Sequence, residues 1–227
     1  MVEVWNIFSQ NLGAKMNLWM YWENAKGSSI PPHIEKSMAR AAEFTTYPTH
    51  IVTDKTIGDY ITPPKLPNLK IAHKADVYRA LLLHKYGGIW ADADMIWLQN
   101  FDHLYSDTHA TIFNKSGTEK DATRIEVIAV PPNSPIMEEW SRCQMAILEV
   151  KGKNIRWTDI GSKALTPVVR KYQEQCKFLP IHLICPVEWN KSNTKDYMAS
   201  VRPETLAITY FNSRNRGLPK SLSHLLR

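Results

Sequence analysis

The sequence predicts a single α/β domain with a mixed central sheet. Strand-like apolar runs alternate with helix-forming segments early in the chain, and strand-like runs dominate later. The 227 residues include 44% hydrophobic and 22% charged side chains, which are ordinary values for a globular protein that can bury a full core. No internal repeat, low-complexity segment or linker divides the chain, so we expect one domain over residues 1–227.

The first half of the chain alternates strands and helices. The segments are an apolar strand at 16–23, a helix at 31–44, a short strand within 49–61 and a second helix from about residue 73. Prolines at its first turn, with Ile34, Met38 and Ala41 on one face, indicate the first helix. Three prolines within 63–68 indicate a rigid loop before the second helix.

The second half of the chain is richer in strands. The segments are strands at 111–117 and 124–132, a helix at 135–150, a loop and helix within 158–175, a strand region at 177–189 and a last strand within 205–215. Pro167 stands near the start of the helix within 158–175, and the last strand runs into a polar tail.

Residues 73–98, HKADVYRALLLHKYGGIWADADMIWL, form the most informative segment. Val77, Leu81 and His84 recur at the spacing of one helical face, and Gly87 stands where a glycine commonly ends a helix. The apolar run GIWA that follows predicts a buried strand.

Asp92 and Asp94 stand at the end of this strand. Side chains at i and i+2 of a strand point to the same side, so both carboxylates can reach one point, where their repulsion favours a positive charge. Two carboxylates suit a divalent ion whose other ligands are water and phosphate. Ligands of open α/β sheets bind at the carboxyl ends of strands, so position and spacing favour a metal-bound diphosphate over the alternative of a solvated turn.

Asp76 and Arg79 stand three residues apart on the preceding helix and share a face. In the functional interpretation Arg79 lies near phosphate, and Asp76 accepts hydrogen bonds from a ribose or a base edge. The alternative is a surface ion pair, which contributes less than about 1 kcal/mol to stability.

Composition adds weaker constraints. The net charge of +6 and the pI of about 9.1 favour an anionic partner, but no block of basic residues marks a nucleic-acid-binding arm. Eight Trp and nine Tyr residues offer surfaces that stack on nucleobases or sugars, with core packing as the alternative for each.

The cysteines Cys143, Cys176 and Cys185 contain no CxxC pair, so we expect reduced thiols in a reducing compartment. The N-terminal sequence lacks the pattern of a signal peptide, and no run approaches the roughly 18 apolar residues that cross a bilayer. We therefore expect a soluble cytoplasmic protein, or a piece cut from a larger chain, with no membrane span.

The segment KADVYRALLLHKYGGIWADAD resembles the signature of the D-x-D glycosyltransferases of the family-32 and capsular-polysaccharide-synthesis type. The matching residues are Lys74, Asp76, Arg79, Tyr86, Gly87, Gly88, Asp92 and Asp94. The stretch NLWMYWE is similar to the first strand of these enzymes, and the resemblance covers about residues 16–175. Small enzymes of this kind occur in bacteria and in large DNA viruses, which would place a viral example in the host cytoplasm.

The resemblance implies a GT-A fold, a Rossmann-like sandwich with a nucleotide-sugar-binding part at about 1–100 and an acceptor-side part at about 101–227. It also implies that Mn²⁺ or Mg²⁺ joins the D-x-D motif to the diphosphate. Asp94 would be the main metal ligand, Asp92 would contact the ribose or the metal, and Asp76 with Arg79 would hold the nucleotide and sugar.

The resemblance also suggests where the nucleobase binds. The candidates to stack on or border the base are Trp19, Tyr21 and Trp22 on the first strand, with core packing as the alternative for each.

Other site residues are candidates by chemistry or by the same resemblance. Arg214 and Arg216 are cations that could assist the leaving diphosphate, with solvated tail arginines as the alternative. The stretch RWTDIGSKALTPVV resembles the acceptor-side loop of the family, although Ser162 replaces its proline. Asp159 in this loop is either a catalytic or acceptor-binding acid or the N-cap of the following helix.

The third metal ligand departs from the family pattern. Related enzymes often carry a histidine on a late strand, and the comparable stretch LAITYFNSRN has none. Asn212 is the candidate to replace it as an oxygen ligand, and His224 is a second option.

We therefore expect a metal-dependent glycosyltransferase of the hexosyltransferase class that acts in glycan biosynthesis. Its donor is expected to be a nucleotide-diphosphate sugar, with UDP favoured and GDP possible, and its acceptor a glycan or glycoprotein rather than a nucleic acid. One alternative is a phosphohydrolase of the haloacid-dehalogenase type, although no later acid pair supports it. The other is an inactive sugar- or nucleotide-binding module, which the missing histidine and proline keep open.

Overall fold

The computed structural model describes residues 16–24, 28–192, 196–215 and 217–226. Its strands are β1 Leu18–Tyr21, β2 Thr49–Val52, β3 Gly88–Ala91, β4 Met95–Trp97, β5 Ala110–Asn114, β6 Val127–Val130, β7 Cys176–Pro180 and β8 Ala207–Thr209. Its α-helices are α1 Pro32–Glu43, α2 Ile71–Tyr86, α3 Pro135–Lys151, α4 Ser162–Lys171 and α5 Asn212–Asn215.

The main sheet has six strands in the order β2-β1-β3-β6-β5-β7. Strand β1 pairs in parallel with β2 and β3, β6 is antiparallel to β3 and β5, and β7 is parallel to β5. Strand β6 therefore runs against the other five, which confirms the predicted mixed sheet. Strands β4 and β8 form a separate antiparallel pair.

Two apolar layers cover the two faces of the sheet, and the alternation along β1 shows how the chain separates them. Leu18 and Met20 belong to the layer that includes α1, β4 and β8, whereas Trp19 and Tyr21 belong to the layer that includes α2, α3 and α4. Successive side chains of a strand point to opposite faces, so four adjacent buried residues serve both layers.

Gly87 and Gly88 connect α2 to β3 at the point where the sequence predicts a helix end. The Gly87 N–H donates to the Leu83 carbonyl at 2.9 Å, and the φ angle of Gly87 is 63°. Gly88 has a φ of 97°, and a Cβ atom there would lie 2.2 Å from the Asn17 carbonyl oxygen. A Cβ atom at Gly87 would instead lie 2.4 Å from the Pro132 nitrogen, so both positions need glycine for their positive φ and for the close approach of other backbone.

The buried surface of helix α2 is wider than the single apolar face predicted through Val77, Leu81 and His84. Val77 is buried, but Leu81 and His84 are half-buried. Asp76 and Arg79 are buried on other sides, because the helix lies between the sheet and the surrounding helices rather than at the surface. The predicted face was therefore too narrow.

Two further predictions need correction. Pro167 lies inside α4 and not near its start. The polar tail expected after the last strand is folded, because α5 follows β8. The 3₁₀ segment Lys220–Leu226 then buries Leu222 and Leu226 in the apolar layer that includes α1, β4 and β8. Apolar residues spaced along this segment give it a face to bury.

The three cysteines are free, as predicted. Among the described residues, no helix combines the length and hydropathy that a bilayer crossing requires.

Candidate active site

Asp92 and Asp94 lie at the carboxyl end of β3, as the sequence predicts. The Asp92 N–H donates to the Glu126 carbonyl at 2.9 Å, and the Tyr210 N–H donates to the Asp94 carbonyl at 3.1 Å. Ala93 between the two acids is buried. The motif is therefore anchored on one side to the strand edge at β6 and on the other to the segment after β8.

Arg79 connects α2 to this motif. Its Nη2 atom donates to Asp92 Oδ1 at 2.8 Å and lies 3.6 Å from Asp76 Oδ1, while Nη1 donates to the Ile125 carbonyl. The guanidinium lies 4.7 Å from the Trp90 ring centroid, and the Trp90 indole N–H also donates to Asp92 Oδ1, at 2.9 Å. Arg79 is 2% exposed, so the surface ion pair considered from sequence is wrong.

Asp94 is held by Asn212, the first residue of α5. The Asn212 backbone N–H donates to Asp94 Oδ2 at 2.8 Å, and the Asn212 side-chain Oδ1 lies 2.8 Å from His33 Nε2. The structure thus brings Asn212 to the D-x-D motif, and its role as a metal ligand stays a prediction. Its contact with Asp94 is through the backbone, and its side chain contacts a histidine of α1.

A second, half-buried ion pair, which sequence analysis missed, adjoins the motif. Arg124 pairs with Glu126 through its Nε and Nη2 atoms, and the Ile125 N–H donates to Glu126 Oε2 at 3.0 Å. Glu126 is 8% exposed and interacts electrostatically with Asp92 and Asp94. An arginine and an acid at i and i+2, at the start of the strand predicted for 124–132, were the available signal.

Burial and mutual repulsion set the protonation of these carboxylates. Burial raises the pKa of Asp76 to about 7, against the opposing effect of the Arg79 charge. Burial, with the Asp92 charge, raises the pKa of Asp94 to about 7, although the Asn212 N–H opposes the shift. Burial also raises the pKa of Asp92. The pKa of Glu126 is lowered, because Arg124 outweighs the opposing effect of burial.

The charges in this cluster fit a divalent cation. The carboxylates are Asp76, Asp92, Asp94 and Glu126, and the guanidinium groups are Arg79 and Arg124. If all four carboxylates were ionised, they would outnumber the two cations by two, and a bound divalent ion would favour that ionised state. Within the described ranges, no set of three or more His, Cys, Asp or Glu residues is arranged to hold a metal.

A polar cluster at the carboxyl ends of β1 and β2 was also missed by sequence analysis. Asp54 accepts hydrogen bonds from the hydroxyls of Tyr21 at 2.8 Å and Tyr78 at 3.4 Å, and it pairs with Lys74. The Asp54 and Lys74 side chains are 32% and 26% exposed, so both can contact a ligand. An aspartate directly after the second predicted strand was the signal that could have indicated it.

The three aromatic candidates on and after β1 have different surroundings. Trp19 is 1% exposed, donates to the Gly87 carbonyl at 3.0 Å and stacks on His50. It is therefore a core residue and cannot stack on a base. Tyr21 is buried and bound to Asp54, whereas Trp22 is half-buried and is the one of the three with an exposed part that could border a base.

Asp159 lies in the loop before α4, where two lysines and a backbone N–H hold its carboxylate. Its Oδ2 accepts from Lys151 at 2.8 Å and from the Arg156 N–H at 3.0 Å, and its Oδ1 lies 4.0 Å from Lys163. The Lys151 hydrogen bond is the main cause of its lowered pKa. The N-cap of α4 is Gly161, so the capping role proposed for Asp159 is wrong. Its catalytic role stays a prediction, although a lowered pKa weakens a base.

The remaining candidates lie toward the end of the chain. Arg214 lies on α5 with its guanidinium 4.2 Å from the Trp189 ring centroid, two residues after Asn212. Arg216 lies outside the described residues. His224 is exposed in the last 3₁₀ segment.

Comparison with known proteins gives a family and a fold. The family model for the capsular polysaccharide synthesis protein matches residues 6–204, a longer stretch than the resemblance seen in the sequence. No curated protein matches the chain closely enough to count as a relative.

Three solved glycosyltransferases are similar in structure. PaToxG glycosyltransferase is 19% identical, with 70% of this chain and 69% of that one covered and a TM-score of 0.50. The apo-form glycosyltransferase GlyE of Streptococcus pneumoniae TIGR4 is 11% identical, with 87% and 54% covered and a TM-score of 0.52. A glycosyltransferase involved in glycosylation of the major capsid of PBCV-1 is 10% identical, with 94% and 100% covered and a TM-score of 0.54. These likenesses confirm the predicted glycosyltransferase fold of GT-A type.

Proposed function

The chain belongs to the capsular polysaccharide synthesis protein family and is a glycosyltransferase by family and fold, and we propose that it takes its sugar from a nucleotide-diphosphate donor with the help of Mn²⁺ or Mg²⁺. A UDP-sugar is the favoured donor and a GDP-sugar the alternative. The observation that carries the proposal is the pair Asp92 and Asp94, half-buried beside further carboxylates at the carboxyl end of β3.

Asp92 and Asp94 would hold the metal, with phosphate and water oxygens completing its ligands. A divalent ion there would act as a Lewis acid that neutralises the diphosphate as it leaves. Asp94 is already oriented by the Asn212 N–H, and both hydrogen bonds described for the Asp92 carboxylate go to Oδ1. This arrangement is compatible with metal contact through Asp92 Oδ2.

Arg79 and Asp76 would orient the donor sugar and its phosphates. The Arg79 guanidinium is 2% exposed and is fixed by Asp92, by the Ile125 carbonyl and by the Trp90 ring, so it would act on the donor by holding Asp92 in place. Asp76 lies on the same buried helix face, where its carboxyl group could accept hydrogen bonds from sugar hydroxyls.

The nucleoside would bind at the carboxyl ends of β1 and β2. Asp54 and Lys74 are both partly exposed there, and their carboxylate and ammonium groups complement ribose hydroxyls and base edges. Ligands of open α/β sheets collect at this edge. Arg214, near Asn212 on α5, is the candidate cation on the other side of the site.

The acceptor is proposed to be a glycan or a glycoprotein. The family description concerns capsular polysaccharide, and one solved structural neighbour takes part in glycosylation of a viral capsid protein. The haloacid-dehalogenase alternative has no support in this family or fold.

Calorimetric binding of UDP and of GDP, each with and without Mn²⁺, tests the proposal. We expect UDP to bind only with Mn²⁺ and Asp94→Ala to lose this binding. Asp59→Ala, which changes an exposed aspartate of the 3₁₀ turn Ile57–Asp59, is the matched control and should bind as the wild type does. Slow hydrolysis of a panel of UDP-sugars would then identify the donor.

Two results would contradict the proposal. If UDP or GDP bound without metal and still bound to Asp94→Ala, no metal would take part in nucleotide binding. Metal-dependent binding without hydrolysis of, or transfer from, any nucleotide-sugar would instead support the inactive binding module.

A further inference from the structure

His33 contacts the segment that holds Asp94, although it lies at the other end of the chain. Its Nε2 atom is 2.8 Å from Oδ1 of Asn212, which is 179 residues away in sequence. An amide oxygen only accepts hydrogen bonds, so Nε2 carries the proton and donates it. The imidazole also meets the Tyr210 ring edge to face, with centroids 6.1 Å apart.

Asn212 passes this contact on to the D-x-D motif. Its backbone N–H donates to Asp94 Oδ2 at 2.8 Å, and two residues earlier the Tyr210 N–H donates to the Asp94 carbonyl at 3.1 Å. Asp94 is thus held at its backbone and its carboxylate by one short segment. The orientation of that carboxylate depends on where the segment lies.

The backbone of this segment is strained. Phe211, between Tyr210 and Asn212, has a φ of 51°, which a bulky residue rarely adopts. Such a conformation is unfavourable and persists only where its surroundings impose it. The contacts with Asp94 on one side and His33 on the other supply that constraint.

Helix α1 makes a second contact with the same segment. The Ser37 and Tyr210 hydroxyls are 3.2 Å apart, and Ser37 lies one turn after His33. The first turns of α1 therefore form a support for the segment after β8. His33 is the member of this support that contacts the residue bound to Asp94.

We propose that His33 is a positioning residue for Asp94, acting through Asn212, in the metal and diphosphate site. The inference rests on the proposed metal-dependent function. Groups behind a metal ligand fix its orientation, and their removal typically weakens metal binding by about 10- to 100-fold. Loss of the His33 hydrogen bond would let Asn212 and the strained segment relax, and the Asp94 carboxylate would rotate with them.

Mn²⁺ binding in the presence of UDP, followed by the electron paramagnetic resonance signal of free Mn²⁺, tests this inference without an activity assay. His33→Phe keeps an aromatic ring against Tyr210 but removes the donor, and we expect about tenfold weaker Mn²⁺ binding. His33→Gln places an amide donor near the Nε2 position and should restore most of the affinity. His103→Ala changes an exposed histidine and should have no effect.

The possible outcomes separate the inference from its premise. No Mn²⁺ binding by the wild type with UDP would overturn the proposed function, and the inference with it. Wild-type affinity in His33→Phe would overturn the inference alone, as would equal weakening in His33→Phe and His33→Gln, since the hydrogen bond would then not be the cause. If His33→Phe does not fold, as judged by its thermal transition, His33→Ala takes its place in the same comparison.

Discussion

The Nη2 atom of Arg79 lies 2.8 Å from Oδ1 of Asp92, so a guanidinium of α2 is bonded to the first acid of the D-x-D motif. Thirteen residues separate the two, and the glycine pair between them returns the chain from helix to strand. The signature segment is therefore one structural unit, in which helix, turn and strand bring a cation and the carboxylates together.

Removal of Arg79 should destabilise the protein. Arg79→Ala would leave the buried Asp76 and the half-buried Asp92 without their cation, and the loss of one partner of a buried pair costs about 3 kcal/mol or more. Urea denaturation without metal measures the change. Arg202→Ala, which breaks an exposed contact with Glu204, should leave the free energy of unfolding close to the wild-type value. Equal effects of the two substitutions would contradict this assignment.

Asp94 should make the stability of the metal-free protein depend on pH. Its pKa is raised from 3.8 to about 7 in the folded state, so the folded protein retains a proton that the unfolded chain releases. This contribution is fully present below pH 3.8 and is lost as the pH rises toward about 7. Asp94→Asn should remove this contribution, so its free energy of unfolding should fall less steeply with pH. The slope should differ from that of the wild type by up to about 1.4 kcal/mol per pH unit.

Denaturation at several pH values in the presence of a chelator measures this slope. Saturating Mn²⁺ should flatten the wild-type profile but leave Asp94→Asn unchanged, because the ion replaces the proton between the carboxylates. Parallel profiles for wild type and Asp94→Asn without metal would show that Asp94 is not the titrating group.

Gly88 should tolerate no side chain. An added Cβ would lie 2.2 Å from the Asn17 carbonyl oxygen, on a backbone with a φ of 97°. We expect Gly88→Ala to lower the free energy of unfolding by about 3 kcal/mol or to prevent folding. Gly58→Ala is the control, since a Cβ at that exposed position would meet nothing within 4 Å. A wild-type melting temperature for Gly88→Ala would refute the close approach of the two strands.

Asp159→Asn should decide between a structural and a catalytic role for Asp159. Its carboxylate is bound by Lys151 and the Arg156 N–H, so we expect a lower melting temperature and a kcat within tenfold of the wild-type value. Removal of a general base lowers kcat by about 10²- to 10⁴-fold. A loss of that size, with the melting temperature unchanged, would identify Asp159 as the base of an inverting reaction.

Asp54→Asn should weaken UDP binding but keep its dependence on Mn²⁺, whereas Asp94→Ala should remove the Mn²⁺-dependent binding. Asp54 lies at the end of β2 with Lys74, apart from the D-x-D motif, so the loss should affect affinity for UDP while the dependence on Mn²⁺ persists. Calorimetry over a range of Mn²⁺ concentrations separates the two effects. An unchanged affinity for both UDP and GDP would exclude Asp54 from the nucleoside site.

The predictions that succeeded from sequence concern local structure. The end of α2, the strand β3 and the position of the two acids follow from helical spacing, a glycine pair and an apolar run. The mixed sheet follows from the order of such segments. Burial that depends on distant parts of the chain was not predictable. The sequence left open whether Trp19 lies in the core, and it wrongly predicted a polar tail, which packs on the apolar layer that includes α1, β4 and β8.

The sequence by itself determined which residues form the signature unit, because the hydrogen bonds that Arg79 and Trp90 donate to Asp92 join residues close in the chain. The tertiary structure alone decided the pairing of His33 with Asn212 and of Lys74 with Asp54, and it placed Glu126 beside Asp92. The physical reason is that periodicity and turn chemistry act over a few residues. The order of strands in a sheet, which brings their ends together at the site, is set by packing of the whole chain.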